Sequence, residues 1–155
     1  MRAKDHAVVA ENYDSNNIFA RIIAGEIPCH KVYEDAGTLV IMDIMPASRG
    51  HCMVLPKSPS RNIYDISERD LAALMITLKK VVLAIKKTLN VDGVTVRQNN
   101  EEAGGQEVFH THFHVMPRYN GVPLHVHDGR KADHAELAEL AKLISSAIER
   151  PAKHA

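Results

Sequence analysis

The chain is short of several things, and each shortage excludes a class of function. It has no excess charge of either sign: 19 Lys and Arg stand against 19 Asp and Glu in 155 residues. With no basic excess and no basic run, it lacks the footprint of a protein held to nucleic acid by phosphate charge. No apolar run approaches the roughly 18 residues that a membrane span needs. The opening stretch, MRAKDHAVVAENYDSNN, has no continuous apolar core of the secretory type. Residues 1–15 are expected to be a loose tail. Two cysteines, Cys29 and Cys52, are too few for a disulfide framework. Both lie among apolar neighbours and are expected to act as small buried side chains. They suit a reducing compartment, so a cytoplasmic location is expected. There is no internal repeat and no low-complexity linker. At 45% hydrophobic residues the chain is too apolar for disorder. Its length is that of one domain able to bury a core, expected over residues 16–150, with 151–155 as a short tail.

What is abundant is histidine, 10 residues of the 155. Imidazole titrates near neutral pH and serves as base, nucleophile and metal ligand. Position along the chain decides which histidines have work to do. Asn16 or Asn17 caps a short predicted helix, Ile18 to Ala24, closed by Gly25. Lys31–Glu34 and Thr38–Asp43 read as strands about the turn Asp35-Ala36-Gly37, and His51–Pro56 as a third. Ser67 opens the clearest helix, to Asn90, with Asp70 placed as in a capping box. Its apolar stripe, from Leu71 and Leu74 through Ile85 to Leu89, repeats every three to four residues. Lys79, Lys80, Lys86 and Lys87 crowd its second half, a solvated face that suits the negative helix end. Val94–Gln98 and Val108–Met116 are the fourth and fifth predicted strands, with Pro117 expected to end the pairing. Asp133 and Glu136 open a last helix whose Leu137, Leu140, Ala141, Ile144 and Ile148 share a face. Strands grouped in the middle with the strong helices apart from them give an α+β fold with antiparallel pairing.

The chemistry is concentrated in residues 108–116, Val-Phe-His-Thr-His-Phe-His-Val-Met. Side chains alternate along a strand, so His110, His112 and His114 are expected on one face. Phe109, Thr111, Phe113 and Val115 face the other way, into packing. Two chemistries want such a row. Alternate histidines can chelate zinc with a further ligand from elsewhere. An imidazole can also act as a nucleophile while its neighbours orient and protonate. The preceding loop favours the second. Asn99, Gly104, Gly105 and Gln106 are the residues of a phosphate cradle, where glycine lets backbone amides approach an anion. Glu101, Glu102 and Glu107 lie close enough to keep the metal alternative open.

Residues 99–118, NNEEAGGQEVFHTHFHVMPR, resemble the histidine-triad (HIT) superfamily, whose signature is His-φ-His-φ-His-φ-φ with φ apolar. Thr111 is a mild departure at the first φ; Phe113, Val115 and Met116 fit. Residues 18–57, IFARIIAGEIPCHKVYEDAGTLVIMDIMPASRGHCMVLPK, resemble the nucleotide-binding half of the Hint branch. The Pro-Arg pair at 117–118 is similar to bacterial members. The resemblance implies a mostly antiparallel five-stranded sheet with two main helices, pairing as a homodimer into a ten-stranded sheet. It implies an enzyme that cleaves a nucleoside 5′-monophosphate, expected to be AMP, from an amine or phosphate leaving group through a nucleotidyl-histidine. His112 is then the nucleophile. His114 binds the phosphate and aids the leaving group, and His110 and His51 form a relay behind the nucleophile. Asn99, Gly105, Gln106 and the amide of Val108 hold phosphoryl oxygens, with Glu107 beside them where animal Hint proteins have Ser. Asp43 accepts the ribose hydroxyls, and Ile18, Phe19, Ile22, Ile27 and Ile44 wall a purine.

No cofactor is expected. Relatives with a structural zinc carry ligands where this chain has Asn17, Ala20 and Pro59, so no structural metal is expected either. Neither a nucleic-acid nor a membrane partner is expected. His6, His30, His125, His127, His134 and His154 read as surface residues. Three readings compete with the phosphoramidase: a dinucleoside polyphosphate hydrolase, a metal-dependent hydrolase built on the same histidines, and a nucleotide-binding interaction protein with vestigial catalysis.

Overall fold

A computed structural model describes residues 12–126 and 129–150. The expectations for residues 1–11 and 151–155, and for His6, His127 and His154, lie outside the described residues. The elements run α1 (Ile18–Ile23), β1 (Lys31–Glu34), β2 (Thr38–Met42), β3 (Cys52–Pro56), α2 (Glu68–Leu89), β4 (Gly93–Arg97), β5 (Phe113–Arg118) and α3 (His134–Ser146). The five strands form one sheet in the order β1-β2-β3-β5-β4, every pair antiparallel. With α2 and α3 as the two main helices, this is the expected α+β architecture.

The sheet has two unlike faces because β2 and β3 are apolar on both. Val40, Met42, Cys52 and Val54 join Leu74, Val81, Ile85, Leu140 and Ile144 in a core under α2 and α3. Burying side chains of this size contributes about 1.5–3 kcal/mol each. Leu39, Ile41, Met53 and Leu55 face the other way and pack on Phe19 of α1. That second face carries the candidate site. Helix α2 is defined by its caps: the Ser67 side chain accepts from the amide of Asp70, and Asn90 closes it in the left-handed conformation. The capping box is half realised, since the Asp70 carboxylate accepts from Ser58 Oγ. Gly50 sits at φ +91°, immediately before His51. A β-carbon there would overlap Leu89 Cδ1, so the end of α2 closes down on the entry to β3.

Three expectations are corrected. Val108–His112 is not part of a strand; β5 starts at Phe113. The segment is drawn off the sheet by the chain that follows β3. The Thr111 amide donates to Ser60 O at 2.8 Å, and Ser60 Oγ donates to Thr111 Oγ1 at 2.7 Å. Alternation therefore holds for Phe113, His114 and Val115, but not for His110 and His112. Pro117 does not end the pairing, because Val94 pairs with Pro117 and Gly93 with Arg118. Pairing of β5 with β3 runs only to Val115 opposite Cys52, so Pro117 has a strand neighbour on one side alone, an edge-like place that tolerates proline. Residues 12–15 are not a loose tail: Asn12 O accepts from Arg61 Nη1 at 3.2 Å, and Tyr13 packs beside His110.

Candidate active site

On the second face of the sheet lies a cavity of about 460 Å³. Its apolar wall comes from α1 and the chain after it: Ile18, Phe19, Ile22 and Ile27, with Ile44 opposite. Asn17 caps α1 through a bond to the amide of Ala20, which aims the helix face at the sheet. The polar end holds Asp43, His51, His112 and His114, together with Asn99, Gly105, Glu107 and Val108 of the glycine loop. Residues distant in sequence thus converge, and most of those singled out from the sequence line this one space. Cys29, Met45, Arg97 and His125 line it too. Of these, Cys29 is half-buried, and His125 is exposed, as expected of a surface residue.

Gln106 and His110 stand apart. Gln106 is buried with its amide fully engaged. Nε2 donates to Arg61 O (2.7 Å) and Val108 O (3.1 Å), while Oε1 accepts from Asn62 Nδ2 (3.1 Å) and the Glu101 amide (2.8 Å). It braces the glycine loop from behind. Glu101, at φ 62°, is held against that uncommon conformation by a two-pronged bond to Arg61, at 2.8 Å from both Nε and Nη2. The same guanidinium holds the Glu101 carboxyl down at about 2 and lies over the Phe109 ring at 4.0 Å. None of Arg61, Asn62 or Glu101 carries a motif signal; only the folded chain brings 61–62 to 101–106.

The histidines form two pairs, and backbone partners fix the protons of each. His112 Nδ1 lies 2.6 Å from His110 O. A carbonyl only accepts, so Nδ1 carries the proton and Nε2 is left with a lone pair. In the other pair the Ala47 amide donates to His51 Nδ1 at 2.9 Å. That nitrogen must be bare, so the His51 proton is on Nε2, which lies 2.9 Å from His114 Nδ1. Asp43 Oδ2, at 3.6 Å from the same Nε2, is the remoter acceptor. His114 Nδ1 then accepts, and its proton sits on Nε2. The rings of His112 and His114 are 4.9 Å apart in an edge arrangement, with opposite tautomers. The relay expected of His51 and His110 is split, His51 serving His114 and His110 serving His112.

Burial pushes the pKa of His112 below its ordinary value, against the opposing bond to His110 O and the charge of Glu107. Burial takes His110 down to about 4. Both rings are therefore neutral at neutral pH, the state a nucleophilic imidazole requires. Asp43, His51 and His114 also bring three ligand atoms within 4.8 Å of one another. A cation there would need the lone pair of His51 Nε2, while Nδ1 is already engaged as an acceptor by the Ala47 amide. The ring cannot offer both without becoming an anion or losing that bond, so the donor set fits a proton better than a metal.

The HIT-domain family profile matches residues 24–121. An uncharacterised HIT-like protein of Methanocaldococcus jannaschii is 42% identical over 104 residues, 67% of this chain and 80% of that protein. A protein of Schizosaccharomyces pombe named adenosine 5′-monophosphoramidase is 37% identical over 103 residues, 66% of this chain and 74% of its own length. Among solved structures, a HIT-like protein of Bartonella henselae superposes with TM-score 0.84 at 43% identity, covering 88% of this chain and 98% of its own.

Proposed function

The chain belongs to the HIT-domain family, and from that premise we propose that it hydrolyses adenylylated compounds, releasing AMP through an adenylyl-His112 intermediate. The observation that carries this reading is the opposite protonation of two adjacent imidazoles at one end of an apolar cavity. His112 Nε2 attacks the α-phosphorus and forms an N–P bond as the bond from phosphorus to the leaving group breaks. His114 Nε2–H hydrogen-bonds the departing amine or phosphate, which takes the proton it needs from solvent. The phosphorylated ring of His112 is a cation, and His110 O, accepting from Nδ1, stabilises it. Water then attacks phosphorus, loses its proton to solvent, and frees AMP and His112. Asn99 and the amide of Val108 hold the phosphoryl oxygens beside Gly105, a fixed donor set of the kind that supplies the largest share of many rate enhancements. Asp43 takes the ribose hydroxyls, and Ile18, Phe19, Ile22, Ile27 and Ile44 hold the purine. Glu107, at the phosphate end, favours a leaving group that carries positive charge, such as a lysyl amine.

A panel of adenosine phosphoramidate, AMP-lysine and diadenosine polyphosphates offered to one preparation tests the reading. Turnover of the amidates and an acid-quenched protein heavier by one adenylyl group are expected. Faster cleavage of the polyphosphates would make this a dinucleoside polyphosphate hydrolase. Binding of AMP without turnover of any substrate would make it an interaction protein. We also propose a homodimer joined along β4, the outer strand on that side of the sheet, with exposed Val96 on it and exposed Ile76 and Leu83 on α2. Sedimentation as a monomer at micromolar concentration would remove that part.

A further inference from the structure

Tyr13 precedes every element that builds the cavity, yet its hydroxyl reaches the first histidine of the row. Tyr13 Oη lies 2.6 Å from His110 Nδ1, with the two rings 5.8 Å apart. The other ring nitrogen, His110 Nε2, lies 2.8 Å from Pro56 O. Because that carbonyl only accepts, the His110 proton is on Nε2 and Nδ1 is an acceptor, which makes the tyrosine hydroxyl the donor. His110 is 1% exposed, so no solvent stands ready to replace it. The peptide that carries Tyr13 is held on both sides, by Arg61 Nη1 on Asn12 O and by the turn in which the Asn17 amide donates to Asp14 O.

His110 thus has three engaged groups: Nδ1 on Tyr13, Nε2 on Pro56, and its own carbonyl on His112 Nδ1. We infer that Tyr13 is a positioning residue for the nucleophile. By donating to His110 Nδ1 it keeps His110 in one tautomer and one orientation, and through the His110 carbonyl it keeps His112 Nε2 turned to the substrate. Tyr13 touches no reacting atom. Without its hydroxyl, a buried acceptor has no partner, and the ring can relieve this by turning, by changing tautomer or by taking a proton. Each of these disturbs the carbonyl on which His112 depends.

The kinetic consequence rests on the proposed adenylyl chemistry; the tautomer does not, and the test uses both. Long-range ¹H–¹⁵N correlation of the imidazoles separates protonated from bare ring nitrogens. In the intact protein His110 is expected as the Nε2–H form and His112 as the Nδ1–H form. In Tyr13→Phe, His110 is expected to show a second tautomer or a protonated ring. There kcat falls about tenfold, the scale of one buried acceptor losing its donor, while the affinity for AMP is unchanged. Tyr64→Phe is the matched control, removing a hydroxyl from a tyrosine that is 76% exposed. A Tyr13→Phe protein with unaltered His110 nitrogens and kcat within about twofold of the parent, inside the spread of a surface change, overturns the inference. So does an intact protein with His110 in the Nδ1–H form, whether or not the variant folds. If the parent turns over no substrate, the proposed function fails, and the nitrogen spectra alone decide for or against Tyr13.

Discussion

The two histidine pairs are built from the same side chain and stand side by side, yet they are organised in opposite senses. In one, a carbonyl faces the ring, so the proton is held back and the lone pair goes forward. In the other, an amide faces the ring, so the lone pair is held back and the N–H is turned forward, from His51 Nε2 to His114 Nδ1. The surroundings differ as well. His110 and His112 are buried against Phe19 and Pro56, whereas His114 is only half-buried. Which backbone group stands behind an imidazole decides whether the ring turns a lone pair or an N–H forward, the first suited to a nucleophile and the second to a hydrogen-bond donor.

The sharpest way to break this comparison is to delete the nucleophile. His112→Ala should lower turnover of an adenosine phosphoramidate by roughly 10⁴ or more, as loss of a covalent nucleophile does, with AMP binding retained in calorimetry. Any larger residual rate would mean that water attacks directly. Deleting the support of His114 should be less costly and should depend on the substrate. His51→Ala is expected to cost about 10²–10³ with amine leaving groups, the range for loss of a positioned hydrogen-bond donor at the reacting atoms. The loss should shrink as the leaving group becomes more acidic and needs the hydrogen bond less. A uniform loss across leaving groups would show that His51 serves the nucleophile instead.

Protonation of the first pair is open to a separate test. The folded pKa of His110, about 4, lies below the unfolded value near 6.5. Between these the unfolded chain binds more protons, so stability is full above about pH 6.5 and is lost as the pH falls toward 4, by on the order of 3 kcal/mol in all. Thermal unfolding followed from pH 7 to pH 4 should show that limb, and His110→Gln should flatten it. A limb equally steep in the variant would assign the loss to other groups. The smallest effect is expected behind the glycine loop. Arg61→Ala frees Glu101 from its bidentate partner and should weaken AMP binding about threefold, as suits a partly exposed ion pair, while leaving the balance between the two histidine pairs untouched.

Much of this could be read in the sequence because it depends on local periodicity. The stripe from Leu71 to Leu89, the Ser67 cap and the apolar runs of β2 and β3 each declare themselves within a few residues. The row of three histidines declared a site, but not its geometry. Alternation in Phe-His-Thr-His-Phe-His looks the same whether or not a strand continues through it. What ends β5 at Phe113 is a pair of bonds to Ser60, some fifty positions away. The partners of His51 and His110 were indistinguishable for the same reason, since the deciding groups are the amide of Ala47 and the carbonyl of Pro56. Main-chain groups exist at every position and leave no trace in residue type. Gln106 shows the converse: its amide type was right for a phosphate cradle, and long-range packing turned it inward.

The two cysteines give the cavity a reporter of its own. Cys52 is wholly buried beside His51, and burial pushes its thiol up to about 12, so reagents that need a thiolate have nothing to meet there. Cys29 is half-buried and lines the cavity beyond Ile27 and Pro28, its thiol raised by burial but within reach. Cys29 also borders an open groove beside α3, so a slow alkylating probe should mark one sulfur of the two, and more slowly once the cavity is filled. Occupancy of the site becomes a rate that can be followed by mass, without any substrate turning over.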